Sequence, residues 1–306
     1  MLDPHLRLRH LRCFLETARL ESLSAAADVL NVSQPAASKT IKELEDMLGV
    51  ALFDRDGRRM ELTQAGQVFQ QHAGAALNDL IRAQELVRKA PARKQRLAVG
   101  VLPTVATEVF PRAALLFQQR FPQCLLRVST GPNWMLLSQL REGALDLVVG
   151  RMPAPDRMGG LAFQQLYSEQ VVMVARPGHP LCAGPVDAAA LARFPLMLPP
   201  GGAVISPVVK AYLLSVGLQN VEPAFENVSL AFGRKVVALS DTVWFISRGV
   251  VGDELTAGHL VALDTQAEVF AGPVGISVRD ALTPPDEQRG LIDCLLETTR
   301  VAPSSP

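Results

Sequence analysis

The chain has 306 residues, 48% of them hydrophobic, 20% charged and 5% aromatic, and its 30 Lys+Arg balance 30 Asp+Glu. That apolar content excludes a disordered chain, and the length suits two or three domains. No apolar run reaches the ~18 residues a membrane helix needs, and "MLDPHLRLRHLRCF" lacks the apolar core of a secretory signal.

The four cysteines, Cys13, Cys124, Cys182 and Cys294, lie far apart without a CxxC pair. They read as reduced, mostly buried thiols of a cytosolic protein, with no metal or cofactor implied. Residues 1–96 hold 15 basic against 12 acidic side chains, and residues 97–306 hold 15 against 18. This weak asymmetry permits nucleic-acid binding by the N-terminal part without arguing for it.

In chain order, Leu8, Leu11, Phe14, Leu15 and Ala18 recur at helical spacing and predict a first helix. "SLSAAADVLNV" predicts a short second helix capped by Ser24, with Ala26, Ala27 and Leu30 inward and Asn31 ending it. Ser33 then caps a third helix, in which Pro35 falls in the first turn, where its missing N–H costs nothing. Ala37, Ile41, Leu44 and Leu48 form its apolar stripe. Gln34, Ser38, Lys39 and Lys42 fall mostly on the other face, and Gly49 ends the helix.

Helix, tight turn and helix with a small-residue junction is the helix-turn-helix pattern, and short polar and basic side chains suit a major groove. The same spacing also fits the solvated face of a small bundle. "LFDRDGRRMELTQAG" adds a β-hairpin wing whose tip carries Arg55, Arg58 and Arg59, within reach of phosphates or a minor groove.

Residues 64–90 read as one long helix. Phe69, Ala73, Ala76, Leu80, Ala83 and Val87 form a coiled-coil seam, which self-association or packing on its own domain would cover. "KAPARKQ" reads as a hinge. Beyond residue 95 strands and helices alternate, which predicts an α/β domain with a largely parallel sheet. "LAFQQLYSEQVVMVARPGHPL" interrupts that pattern with two strand-like runs, and the pattern then resumes. The result suggests two lobes with a cleft between them.

With these motifs in place, the run "AAADVLNVSQPAASKTIKELEDMLGVALFDRDGRRMELTQAG" resembles the winged helix-turn-helix of LysR-type transcriptional regulators, and the resemblance extends over the whole chain. It implies an α+β multidomain protein. Residues 1–66 would form the winged helix-turn-helix, and 67–94 the long linker helix and hinge. Residues 95–306 would form a two-lobed α/β effector domain similar to periplasmic binding proteins. Lobe I would cover about 95–167 and 270–306, and lobe II about 168–269. The stretch "VVGRMPAPDRMGGLAFQQLYSEQVVMVARPGHPL" resembles the subgroup of protocatechuate-pathway and galactose-related regulators.

The resemblance also implies residue roles. Gln34, Pro35, Ser38 and Lys39 match the groove-facing start of the recognition helix, flanked by Ser33 and Lys42. Arg55 and Arg58 match the wing, and Thr63 and Gly66 the start of the linker helix. Family members commonly carry arginine where Lys39 stands and leucine where Ala37 stands. Lys39 keeps the charge without the bidentate fork, which favours a phosphate contact over a guanine contact.

For the effector, "GVLPT", "STGPNW" and "VVGRM" stand at the C-terminal ends of strands, where open α/β sheets bind ligands. "PPGGAVIS" and "ENVSLAF" supply helix starts in the second lobe. By resemblance Thr104, Asn133, Arg151, Ser206 and Ser229 line the interlobe cleft. Helix N-termini and Arg151 favour a small carboxylate, such as an intermediate of aromatic catabolism, over a sugar or sugar acid. The alternatives are simple helix caps at Thr104, Ser206 and Ser229, and pairing of Arg151 with Asp156 or Asp146.

An enzyme is not expected. His179 in "RPGHP" reads as a turn residue, and no GxGxxG, GxSxG or HExxH occurs. A free solute-binding protein would lack residues 1–66. The expected partners are double-stranded DNA at an inverted-repeat operator, a second copy or three further copies of the chain, and RNA polymerase, with no membrane.

Overall fold

The computed structural model describes residues 3–54, 60–88, 95–184, 186–264, 271–280 and 284–301, with backbone alone at 71, 79, 82, 85–88, 156 and 301. The chain divides into two compact units. One is Met1–Arg93 with Leu137–Leu145, and the other is Lys94–Leu136 with Asp146–Pro306.

The first unit opens with α1 (Leu8–Leu20), α2 (Leu23–Leu30) and α3 (Gln34–Leu48). The turns between them follow from local capping. Asn31 takes the left-handed conformation at φ 55° and closes α2, and Gly49 closes α3 at φ 69°. The cap of α2 is Ser22 rather than Ser24. Ser22 is extended and accepts the Ala25 N–H at 3.3 Å, which leaves Ser24 inside the first turn.

Cys13, Phe14, Ala27, Ala37, Ile41, Leu44, Leu52 and Phe53 pack into one core. The Phe14 ring lies 5.3 Å from Phe53 and 5.1 Å from Phe69. Leu48 does not join it. The expected stripe runs past the edge of the core, and Leu48 is exposed.

Strands β1 (Phe53–Asp54) and β2 (Glu61–Leu62) pair antiparallel, with Phe53 opposite Leu62, and form the base of the expected wing. Then α4 (Gln64–Arg88) begins at Thr63, whose hydroxyl accepts the Gly66 N–H at 3.0 Å and donates to the Ala51 carbonyl at 2.8 Å. Along α4, Phe69 packs on the core and Ala73 is buried, whereas Leu80 of the expected seam and its neighbour Ile81 are exposed in the single chain.

The second unit carries a nine-stranded sheet. Its first half uses β3 (Gln95–Val101), α5 (Pro103–Ala106), α6 (Val109–Arg120), β4 (Cys124–Ser129), the start of α7 (Asn133–Arg141), whose residues from Leu137 on belong to the first unit, and β5 (Leu147–Arg151). The expected single helix after β3 is broken into α5 and α6 at Thr107 and Glu108. Strand β3 runs parallel to both β4 and β5.

Next comes β6 (Leu161–Ala175), a single 15-residue strand where two were expected. The second half follows with α8 (Ala188–Leu191), β7 (Leu196–Leu198), α9 (Ser206–Ser215), β8 (Phe225–Glu226), α10 (Leu230–Leu239) and β9 (Val243–Ser247). The chain ends with α11 (Gly252–Thr256), β10 (Val261–Ala262), β11 (Ala271–Arg279) and α12 (Asp286–Val301).

The strand order is β4-β3-β5-β11-β6-β9-β7-β8, with β10 also on β6. The two halves meet inside β6. Leu161–Gln170 pair with β11, and Val171–Val174 pair with β9. Each half has its own core, one around Val99, Phe117, Leu147 and Leu291, the other around Met173, Leu196, Tyr212 and Phe245.

Among the described residues no helix is long and apolar enough to cross a membrane. Cys13 and Cys294 are buried, Cys124 is half-buried and Cys182 is exposed.

Candidate functional site

The start of α3 is built by the cap. Ser33 is extended and accepts the Ala36 N–H at 3.4 Å, so Pro35 becomes the second helical residue. Burial of Ala37, Ile41 and Leu44 then rotates Gln34, Pro35, Ser38, Lys39 and Lys42 into solvent. Arg55 and Arg58 of the wing lie outside the described residues.

Two acidic residues of α3 escaped the sequence reading. Glu45 is buried, and its Oε1 accepts the Leu52 and Phe53 N–H groups at 2.8 and 3.3 Å, which ties the wing to the helix. Glu43 faces Arg9, His10 and Lys39. An acidic residue in a helix otherwise reads as solvated, so neither showed a local signal.

In the second unit a cavity of about 510 Å³ opens between the two halves of the sheet. Thr104, Asn133 and Arg151 line it from the first half, and Val204, Asn227 and Ser247 from the second. Thr104 Oγ1 lies 3.5 Å from Ser247 Oγ, so the two halves touch through two residues of the lining.

Ser206 and Ser229, expected on the lining, lie off it. Ser206 is buried in the first turn of α9 and its N–H is taken by Ala203. Ser229 is the cap of α10, where its Oγ accepts the Phe232 N–H at 3.4 Å. The walls also hold apolar residues of the strands and helices themselves. Trp134 and Trp244 both face the space, and they are the chain's two tryptophans.

Arg151 is the one charged side chain among the described lining residues, and it is only 5% exposed. Its Nη2 donates to the Glu169 carbonyl at 3.0 Å, and its Nε has no protein partner among the described residues. Asp146 is not its counter-ion. That carboxylate accepts the Ala98 N–H at 2.7 Å. The side chain of Asp156 lies outside the described residues.

The charge near Arg151 is Glu169 on β6. Its Oε1 accepts the Gly249 N–H at 2.6 Å, and its Oε2 is buried without a partner among the described residues. Glycines make the room. Gly272 stands opposite Glu169 in β11, and a Cβ there would overlap the Arg151 guanidinium. A Cβ at Gly249 would overlap the Glu169 carboxylate.

Burial pushes the Glu169 carboxyl from its ordinary 4.5 up to about 7, against the opposing pull of the Gly249 N–H and Arg151, while Glu108 adds to the rise. Burial also lowers Arg151 and raises the Tyr167 phenol.

A stability effect follows. Below pH 4.5 Glu169 is protonated in both the folded and unfolded chain, and its contribution is fully present. As pH rises to about 7 the unfolded chain releases the proton first, and about 3 kcal/mol of stability is lost. Calorimetry should show wild type losing stability across that window relative to Glu169→Gln. Parallel pH profiles for the two proteins would refute this assignment.

His179, read as a turn residue, is buried at the cap of a short 3-10 turn. Its Nδ1 accepts the Leu181 N–H at 3.1 Å, and Nε2 lies 3.2 Å from the Asp241 carbonyl. Among the described residues no group of three His, Cys, Asp or Glu is placed to hold a metal ion.

The family model for the LysR substrate binding domain matches residues 91–300, and that for the bacterial regulatory helix-turn-helix of the lysR family matches residues 8–67. The chain belongs to the LysR family of DNA-binding transcriptional regulators. The HTH-type transcriptional regulator PcaQ of Agrobacterium fabrum is 42% identical over 281 residues, covering 91% of this chain and 90% of that protein.

Solved structures share the fold at lower identity. Full-length OxyR from Pseudomonas aeruginosa superposes with a TM-score of 0.63 at 23% identity, over 95% of this chain and 98% of that one. CbnR, a LysR family transcriptional regulator, gives 0.60 at 19% identity over 96% and 99%. The expected winged helix-turn-helix joined to a LysR effector-type α/β domain is therefore the fold of this regulator.

Proposed function

We propose that this LysR regulator responds to a small organic anion bound in the cavity beside Arg151, an aromatic or unsaturated carboxylate from a catabolic pathway. One observation carries the reading. A single buried cation faces a largely apolar space walled by Trp134, Trp244 and Pro199, with Thr104, Asn133, Asn227 and Ser247 as its polar groups. An anion entering that space exchanges water for one charge-assisted contact and apolar walls. A sugar or sugar acid would need polar partners for each hydroxyl, and the walls supply few.

In this reading residues 1–66 hold the DNA-binding head, 67–94 the linker and 95–306 the effector domain. The exposed start of α3, with Gln34, Pro35, Ser38 and Lys39, enters the major groove of an inverted repeat. The exposed Leu80 and Ile81 on α4 support pairing with a second copy as a homodimer, or with three as a homotetramer. Ligand binding shifts the heads, and with them DNA bending and contact with RNA polymerase.

The test has two arms. Thermal shift and tryptophan fluorescence are read against aromatic acids, muconates, lactones and sugar acids. Stabilisation by carboxylates and not by neutral lactones is expected, whereas binding of neutral compounds alone would overturn the ligand class. In gel shifts with the protein's own upstream DNA, Pro35→Leu and Ser38→Ala should weaken binding about tenfold while the ligand still binds. Unchanged DNA binding by both variants would remove α3 from the interface.

A further inference from the structure

The cationic start of α3 is partnered by an acid. Glu43 stands one turn after Lys39 on the same helix face. Its Oε2 lies 3.1 Å from Arg9 Nη2 and 3.3 Å from His10 Nε2, and its Oε1 lies 4.0 Å from Lys39 Nζ. His10 is buried, and its Nδ1 accepts the Arg7 backbone N–H at 3.1 Å. With the proton on Nε2 the ring donates to Glu43, and Nε2 also lies 3.3 Å from Arg9 Nε, so His10, Arg9 and Glu43 form one polar cluster.

The carboxylate is thus anchored from the protein side. The His10 hydrogen bond, with Arg9 and Lys39, holds the Glu43 carboxyl below its ordinary range. Arg9 and Lys39 stay largely exposed, with side chains 57% and 79% accessible. Exposed pairs of this kind add little to stability. Their effect is on a polyanion. A phosphate that reaches Lys39 or Arg9 also meets a fixed negative charge within the same few ångströms.

We propose that Glu43 is a specificity-determining residue of the DNA-binding head. Seated on His10, it holds Arg9 and Lys39 together at the groove-facing end of α3 and lowers affinity for random-sequence DNA more than affinity for the operator. Binding to random sequence comes almost wholly from cations meeting phosphates, so an acid among those cations weakens it directly. The operator complex adds contacts to base edges. There the same acid also pre-places Lys39 and Arg9, which offsets its repulsion. The inference rests on α3 entering the groove.

The test uses the full chain and two duplexes, sheared random-sequence DNA and a sequence recovered by wild type from a randomised pool. Affinities are measured across a salt series for wild type, Glu43→Gln, Arg9→Gln and Lys39→Gln. A glutamine at position 43 can still accept from His10. Glu43→Gln should bind random DNA about three- to tenfold tighter and steepen the salt dependence by about one, with a smaller gain on the selected duplex.

The exposed Arg9→Gln should weaken random binding and flatten the salt dependence by about one. An unchanged affinity ratio and salt slope in Glu43→Gln, with Lys39→Gln weakening both duplexes, would overturn the role of Glu43 alone. If Lys39→Gln leaves both duplexes unaffected, the placement of α3 in the groove fails, and this inference with it.

Discussion

Arg151→Met is expected to weaken binding of carboxylate ligands by about 2–4 kcal/mol, on the order of 30- to 1000-fold. Methionine keeps much of the side-chain length and leaves the cavity walls intact, but the space then offers no positive charge among its described lining residues. An anion would have to shed water without a counter-charge, which is the costly case. Glu169 would also lose its neighbouring cation. Burial already raises its pKa, so it would take up a proton rather than remain charged, which limits the loss of fold stability.

Because Trp134 and Trp244 are the only tryptophans and both line the cavity, their fluorescence reports occupancy directly. Titration with a substituted benzoate and its amide should show a large preference for the acid in wild type and almost none in the variant. Arg151→Lys, which keeps charge without the planar fork, should fall between them. A variant that binds the benzoate as tightly as wild type would remove Arg151 from the site.

What could be read in advance follows from the range over which each feature is decided. The caps at Ser33, Asn31 and Gly49 and the inward face of Ala37, Ile41 and Leu44 are local, and the structure has them where the spacing put them. The choice of Ser22 over Ser24 depends on how the chain leaves α1, where Glu21 is left-handed at φ 50°. Nothing in the serines themselves decides that. The continuity of β6 was hidden for a similar reason. Its partner changes from β11 to β9 after Gln170, and both partners lie far downstream, from Val243 to Arg279, without a local mark in "YSEQVV".

The cavity shows the same division. Thr104, Asn133 and Arg151 were legible because a parallel strand delivers its following residues to one edge of the sheet. Trp244 was not, since an apolar residue inside "TVWFIS" reads as core whether it faces protein or an open space. Glu169 was hidden most completely. Its burial depends on the N–H of Gly249 and on the side-chain-free Gly272, both far along the chain. A lone acid in an alternating strand otherwise reads as a solvent-facing residue.

Gly66→Ala sets two effects of opposite sign against each other, and their sizes decide the outcome. Gly66 lies in the first turn of α4, and in a free helix alanine would be favoured by about 1 kcal/mol. Here a Cβ would overlap the Leu52 carbonyl oxygen and come within 2.9 Å of Leu62 Cδ2. The carbonyl is backbone and already accepts the Thr63 N–H at 3.0 Å, so it cannot swing aside as a flexible side chain could. Relief requires α4 to move away from the base of the wing, at a cost of about 2–4 kcal/mol, which exceeds the helix gain. The first unit should therefore melt earlier in calorimetry and bind DNA more weakly, while ligand-dependent fluorescence of Trp134 and Trp244 persists. An unchanged or higher melting temperature would mean that helix propensity wins, and that α4 is not held against Leu52 in solution.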